Sequence, residues 1–533
     1  MRKLFFGLLF LSTAQKGFTQ QLNDYIKGHF SGSYENYSQY YMKDSKINAF
    51  LPLDRFASNS FLKLDYQYGD FSAGVQAESY LPAIAGFFPS PVDAKTKIVN
   101  KYFRYNGKKF SVQVGDFYEQ FGNGLVLRSF ENRQIGINNA LEGFKAEIQA
   151  TDYFKIKTVY GRTRLNLDYI NAFTRGIDAE IDLHQLMNIS SKSKLTSLSL
   201  GGSAVSRYQE YVGPEDGFPT TANAYAGRVD LSLGGLTLNT EYATKSADPH
   251  LMNSYSRNKG AALQVNAGFS TRNFGTNVTF RSISNMEFKA DRDNEFTTQG
   301  PVNFLPSITK QHDNLTSNIY VYAAQARGES GFQSDIFYTF PAGSSWGGKY
   351  GTTLSLNISH YQSLNEKNEI MSFGESDFFS DASLEIRKKW SKKWEGHFEV
   401  QQLKYNGALQ GASYKELHAT VFALSSLYKF NKHRSIRCKL EHMTADQDKG
   451  NWAAGLLEFS LSSPFAIFMS DLYNYDKTNN HYYTIGTSLT RNATRFSMAF
   501  GRQRDGLFCV GGVCRFVPAA YGFTATLTTT FAN

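Results

Sequence analysis

"LEGFKAEIQATDYFKIKTVYG", from Leu141 to Gly161, decides how the rest of the chain is read. Phe144, Ala146, Ile148 and Ala150 fall on one side of an extended strand, and Gly143, Lys145, Glu147 and Gln149 on the other. Thr151-Asp152 turns the chain. Phe154, Ile156 and Tyr160 then alternate with Lys155 and Lys157. One face of this hairpin is oily and the other carries charges of both signs. A soluble, half-buried sheet shows the same pattern over a few strands, so repetition along the chain is what distinguishes a membrane barrel.

The pattern does repeat. Tyr225, Val229, Leu231 and Leu233 oppose Arg228, Asp230 and Ser232. After Gly234-Gly235, Leu236, Leu238 and Tyr242 oppose Thr237, Asn239 and Glu241. Short turns recur at Gly69-Asp70, Asn106-Gly107, Thr271-Arg272, Ser391 to Lys393, Asn431 to Arg434, Ser462 to Pro464 and Asn492-Ala493. Longer polar stretches alternate with them, among them 82–96, 119–140, 208–221, 287–315 and 506–518. The implied fold is all-β: a large transmembrane antiparallel β-barrel with long extracellular loops over residues 21–533. Its lumen-facing charges include Lys145, Glu147, Lys155, Lys157, Arg228, Asp230 and Glu241. A direct count gives about 25 strands, and single-chain bacterial barrels have even numbers. An extra crossing in "TTQGPVNFLPSITK" (297–310), despite its two prolines, makes about 26 strands, in a range of roughly 22 to 26.

Composition agrees. Only 41% of the 533 residues are hydrophobic, yet 44 Phe and 32 Tyr are present, with 12 Pro and 44 Gly. Barrel strands show lipid at every second position and ring both interfaces with aromatics, which produces this balance. Residues 1–20 read as a cleaved secretory signal: Arg2 and Lys3, then the apolar "LFFGLLFL" from Leu4 to Leu11, then a polar exit ending near Thr19 or Gln20. That run is too short for a spanning helix. The formal charge of +9 falls to +6 without residues 1–20, with 53 basic against 47 acidic residues, interspersed along the chain. No basic block points to nucleic acid. Outer-membrane lipid and lipopolysaccharide are the expected surroundings of an integral protein in the outer membrane of a Gram-negative cell.

The last strand, "YGFTATLTTTF", puts Tyr521, Phe523, Ala525, Leu527 and Phe531 on one face and Gly522, Thr524, Thr526, Thr528 and Thr530 on the other. Such an aromatic-ended strand resembles the signal read by barrel-assembly machinery, with Phe531 two places short of the C-terminus. Strands begin close to the expected mature N-terminus and run to the end. No plug domain of a TonB-dependent transporter and no periplasmic domain is therefore expected.

In "FSVQVGDFYEQFGNGLVLRSFENR" (Phe110 to Arg133), strict alternation sends Asp116 into lipid. A bulge at Gly115 is expected to turn Asp116 into the lumen and Phe117 back to lipid. The loop beyond, with Glu119, Arg128, Glu131 and Arg133, is long enough to fold inward; with Asp116 it forms a candidate pore constriction. Folded outward, the same residues are paired surface charges. Three cysteines are too few for a disulfide framework. Cys509 and Cys514 are close enough to pair in the last loop, and two free thiols are the alternative.

"VGDFYEQFGNGLVLRSFENR", "GGKYGTTLSLNIS" (Gly347 to Ser359) and "CVGGVCRFVPAAYGFTATLTTTF" (Cys509 to Phe531) resemble a family of Bacteroidota outer-membrane proteins known only as a domain of unknown function. The resemblance covers nearly the whole mature chain. It implies a barrel in the outer membrane of a Bacteroidota cell and names no substrate.

No nucleophile elbow, phosphate loop or zinc-protease motif is present, so no enzyme activity and no cofactor are expected. Asp446 and Asp448 in "DQDKGN", and Asp291, Asp293 and Glu295 in "DRDNE", are weak calcium candidates that lack the full loop pattern. Two functions remain open. One is a porin-like channel for small polar solutes. The other is a structural or docking component, its lumen plugged by loops, that binds a protein partner in an export, assembly or surface-attachment complex.

Overall fold

The computed structural model describes residues 28–87, 95–190, 192–210, 217–294, 299–410, 412–510 and 513–533. The expected signal, residues 1–20, and Glu295 lie outside them. Twenty-four strands form one closed antiparallel sheet. The first half comprises β1 (His29–Tyr41), β2 (Phe56–Tyr68), β3 (Phe71–Tyr80), β4 (Lys95–Asn106), β5 (Phe110–Phe117), β6 (Leu141–Thr151), β7 (Phe154–Leu165), β8 (Asp168–Asp182), β9 (Leu195–Tyr208), β10 (Thr221–Leu233), β11 (Leu236–Lys245) and β12 (Gly260–Ser270). The second half comprises β13 (Phe274–Ser284), β14 (Gly328–Phe340), β15 (Thr352–Gln362), β16 (Asp377–Lys389), β17 (Trp394–Tyr405), β18 (Leu417–Lys429), β19 (Ser435–Ala445), β20 (Trp452–Ser462), β21 (Phe465–Asn474), β22 (Asn480–Arg491), β23 (Thr494–Gln503) and β24 (Ala520–Ala532). Each pairs with its neighbour in sequence, and β1 pairs with β24 from Ser31–Ala532 to Tyr41–Gly522. The sheet therefore has no free edge.

The alternation read from the sequence sorts the two faces. Leu424 and Leu440, partners across β18 and β19, are 55% and 59% exposed. Val114 and Phe103, partners across β5 and β4, are exposed in the same way. Large apolar groups paired at mid-strand with no protein cover need hydrocarbon. Aromatic pairs such as Phe71–Phe103 and Trp390–Trp394 lie near the short turns and form an interfacial girdle. Tyr521, Phe523, Leu527 and Phe531 share the outer row of β24, where Phe523 packs on Phe500. This is the wall of a membrane-spanning β-barrel.

Two expectations need correction. The wall has 24 strands, inside the expected range of 22 to 26, and the extra crossing expected in 297–310 is not among them. Its described part lies inside the barrel, where the Val302 amide donates to the Phe288 carbonyl and Pro301 bridges Lys289. The break in loop phase comes instead from 341–351, a long connection on the short-turn side. The second correction concerns Asp116. Gly115 does adopt a left-handed backbone (φ +96), and a Cβ there would fall on the Lys101 carbonyl oxygen. The ladder nevertheless stays in step: Asp116 stands opposite Glu142, and Phe117 opposite Leu141. Asp116 thus shares the outer row with Glu142 and Phe144. Phe117 turns inward to pack with Phe121 and Leu125. Burial of Asp116 is compensated by bonds from the Lys101 amide (2.8 Å) and the Tyr169 hydroxyl (2.5 Å).

Candidate solute passage and its inward-folded segments

Two long connections fold into the lumen instead of standing above it. The first, residues 118–140, joins β5 to β6. The second, 285–327, joins β13 to β14. Both are tied to inner-row side chains of the wall.

The first segment begins at Glu119, whose carboxylate lies 3.1 Å from both Lys145 and Lys157. Burial pushes its pKa up, but the two ammonium groups outweigh this and hold it below the ordinary carboxylate value. The chain then runs on to β11. Gly122 (φ +50) sits directly over the Glu241 carboxylate, in space a Cβ would take. The Asn123 amide donates to Glu241 at 2.5 Å, and its side chain donates to Asn239. Arg128 lies over the rings of Phe130 and Phe304 at 5.2 and 5.6 Å; burial lowers its pKa. On the return, Arg133 bridges Glu35 of β1 (2.8 Å) and Glu131 (3.2 Å), and Glu131 accepts from Gln76 of β3.

The second segment docks along β16 to β19. Lys310 pairs with Glu385. His312 lies between Glu399 (2.6 Å from Nδ1) and Asp381 (2.7 Å from Nε2). Burial alone would lower the His312 pKa, but the hydrogen bonds and charges of Asp381 and Glu399 win, and it rises to about 9. The amides of Leu315 and Thr316 donate to Glu441. The segments also meet each other. The Arg128 amide donates to the Val302 carbonyl, and the Asn303 side chain donates to the Leu125 carbonyl. Phe121, Leu125, Phe288 and Val302 close an apolar seam between them.

Of the five constriction candidates, Glu119, Arg128, Glu131 and Arg133 therefore gather inside the barrel, while Asp116 does not. Arg228 is held by Asp178 (2.6 Å) and Glu180 (2.9 Å), and Asp230 accepts from Asn239. Glu147 and Lys155 stand on inner rows nearer the short turn, where Glu147 is exposed. Cys509 and Cys514 are joined by a disulfide in a hairpin of 506–510 with 513–517. Val510 of that hairpin packs on Ile135 and Ile137 of the first segment. Asp446 and Asp448 have separate partners, the His418 amide and the Tyr320 hydroxyl, and do not converge. The sequence reading missed the carboxylates Asp381, Glu385, Glu399 and Glu441. Their signal was available: "HFEVQ" places His397, Glu399 and Gln401 on one row.

One sector of the inner wall is built of small side chains. Thr524, Thr526 and Thr528 of β24 face inward beside Ser497 and Ala499 of β23. Among the described residues, no hydrogen bond or ion pair joins either inward segment to these five. Thr524 is exposed although it points away from the lipid-facing row of Phe523. The sector bears hydroxyls, and Thr528 at its lower end stands between Arg495 and Glu35.

The chain is similar to several solved barrels over most of its length. With the P pilus usher (PapC) translocation pore it shares 8% identity over 94% of this chain and 99% of that one, at a TM-score of 0.46. With the siderophore receptor PirA from Pseudomonas aeruginosa the figures are 9%, 94%, 80% and 0.41. With Acinetobacter baumannii OccAB3 they are 11%, 95%, 99% and 0.36. No curated protein matches the chain. A family does match, over residues 1–531: the chain belongs to the Family of unknown function (DUF6029).

Proposed function

We propose that this protein is a porin-like channel for small polar solutes in the outer membrane, exported by a cleaved signal and inserted by the barrel-assembly machinery. The Bacteroidota origin implied by the sequence resemblance fits this setting. The observation that carries the reading is the hydroxyl-bearing sector around Thr524, Thr526 and Ser497, which the inward segments leave uncovered. A barrel of this strand number has more lumen than its own side chains can fill. The segments narrow it on one side, and solute passes on the other. The hydroxyls suit small polar solutes, while Arg495 beside Thr528 and the paired charges of Glu119, Arg133 and Arg228 shape the field across the gap.

The docking reading draws on a different observation, the apolar seam of Phe121, Leu125, Phe288 and Val302, which packs like a protein core. Conductance in planar bilayers separates the two. The channel reading expects stable ion steps, reduced to less than half by Thr524→Trp, with Ala525→Trp on the lipid face as the neutral control. Silence of the wild-type protein, or equal conductance in both variants, overturns it.

A further inference from the structure

On the inner wall, Glu385 of β16 and Glu399 of β17 are direct cross-strand partners, and His397 lies on the same row. One ligand atom from each of the three lies within 4.8 Å of the others. Two carboxylates facing each other across a sheet repel unless a cation stands between them. Lys310 and His312 of the second inward segment supply part of that charge. The surroundings still hold unused oxygen. Asn314 donates its Nδ2 to Glu399 at 2.9 Å, yet its own Oδ1 is fully buried and has no partner among the described residues. The same is true of Oδ1 of Asp381, whose other oxygen holds His312. A buried acceptor without a donor is costly, and a cation beside Glu399 satisfies that of Asn314, while Asp381 lies beyond His312.

We propose that Glu385, His397 and Glu399 hold a divalent transition-metal ion of the zinc class, with the Asn314 side-chain amide turned over so that Oδ1 faces the ion where Nδ2 now faces Glu399. One imidazole with two carboxylates is a borderline-soft donor set that favours Zn²⁺ over Ca²⁺ or Mg²⁺, which take oxygen alone. Glu385 and His397 are each 17% exposed, so an ion reaches them from the lumen. Nε2 of His397 lies 3.0 Å from Glu385, and the metal takes the place of the proton shared there. It also displaces the Lys310 ammonium from Glu385. Metal and lysine are therefore competitors, and metal entry removes one cationic anchor of the second inward segment.

The test is direct binding, so it succeeds or fails independently of the channel reading. Full-length protein without a histidine tag is titrated with Zn²⁺ in detergent by calorimetry, and metal content is measured after dialysis. One ion per chain is expected, with Ca²⁺ unable to compete. His397→Gln and Glu385→Gln each weaken binding by roughly a hundredfold or more, beyond what outer-shell changes cost. Lys310→Ala tightens it severalfold, because the competitor is gone. Heat-modifiable gel mobility reports whether each variant has folded, and either ligand variant suffices. Absence of binding, binding unaffected by the folded ligand variants, or weaker binding in Lys310→Ala overturns the proposal.

Discussion

Replacing residues 285–327 by a two-residue Asn-Gly turn raises the single-channel conductance severalfold while the barrel still assembles. The reason is in the ladder. Ser284 and Gly328, which flank the segment, are already cross-strand partners. A tight turn can join them without disturbing β13 or β14. What is lost is lumen filling: Lys310, His312 and Asp313 leave the wall, and the Phe288–Val302 seam against Phe121 and Leu125 disappears. The freed cross-section is filled by electrolyte. The corresponding graft of 118–140 is equally available, since Phe117 and Leu141 are partners. Its effect is smaller, because the second segment still covers β16 to β19. Planar-bilayer recordings of purified variants provide the check. An unchanged conductance would place the obstruction elsewhere, in the loops that cap the mouth.

A second large effect is in pH. His312 is raised from 6.5 to about 9 by its place between Asp381 and Glu399. The protonated form is therefore the docked form. Its contribution is complete below about 6.5 and is lost as pH rises through about 9. A rise of this size in a buried group corresponds to something on the order of 3 kcal/mol of docking free energy. The other groups facing this site are Lys310 and Asp313 on the segment, Glu385 and His397 on the strands below, and Lys439 and Glu441 beyond. The histidine supplies the step. Wild-type conductance is expected to be constant and low at pH 6 to 7 and to rise, with longer openings, between about pH 8 and 10. His312→Gln is expected to show the raised level throughout. Identical pH profiles for wild type and His312→Gln would contradict the assignment.

The outer face was legible in the sequence because it follows one rule. Hydrocarbon accepts only apolar groups, so strands such as Leu141–Thr151 and Leu236–Lys245 declare their register by alternation alone. The interior obeys no such period. Residues 285–327 contain Val302, Phe304, Leu305 and Ile308, and two prolines. In sequence that mixture resembles a poor strand; in space it is a core packed against the lumen wall. The misplacement of Asp116 has a similar cause. A charged residue on a lipid-facing row suggests a bulge, and Gly115 has the backbone for one. The alternative solution, a carboxylate capped by the Lys101 amide and Tyr169, draws on a residue 53 positions away that no local pattern reveals. The pairing of Glu119 with Lys145 and Lys157 was hidden for the same reason. Each charge was visible, but the partner depended on which way the loop folded.

The central claim is that β24 has lipid on one side and water on the other. Single cysteines at Ala525 and Thr526, in a Cys438→Ser background with the Cys509–Cys514 disulfide intact, test it in sealed proteoliposomes with a charged, membrane-impermeant maleimide. The account predicts rapid modification at position 526 and protection at 525. Protection at both positions, or the reverse order, would contradict it.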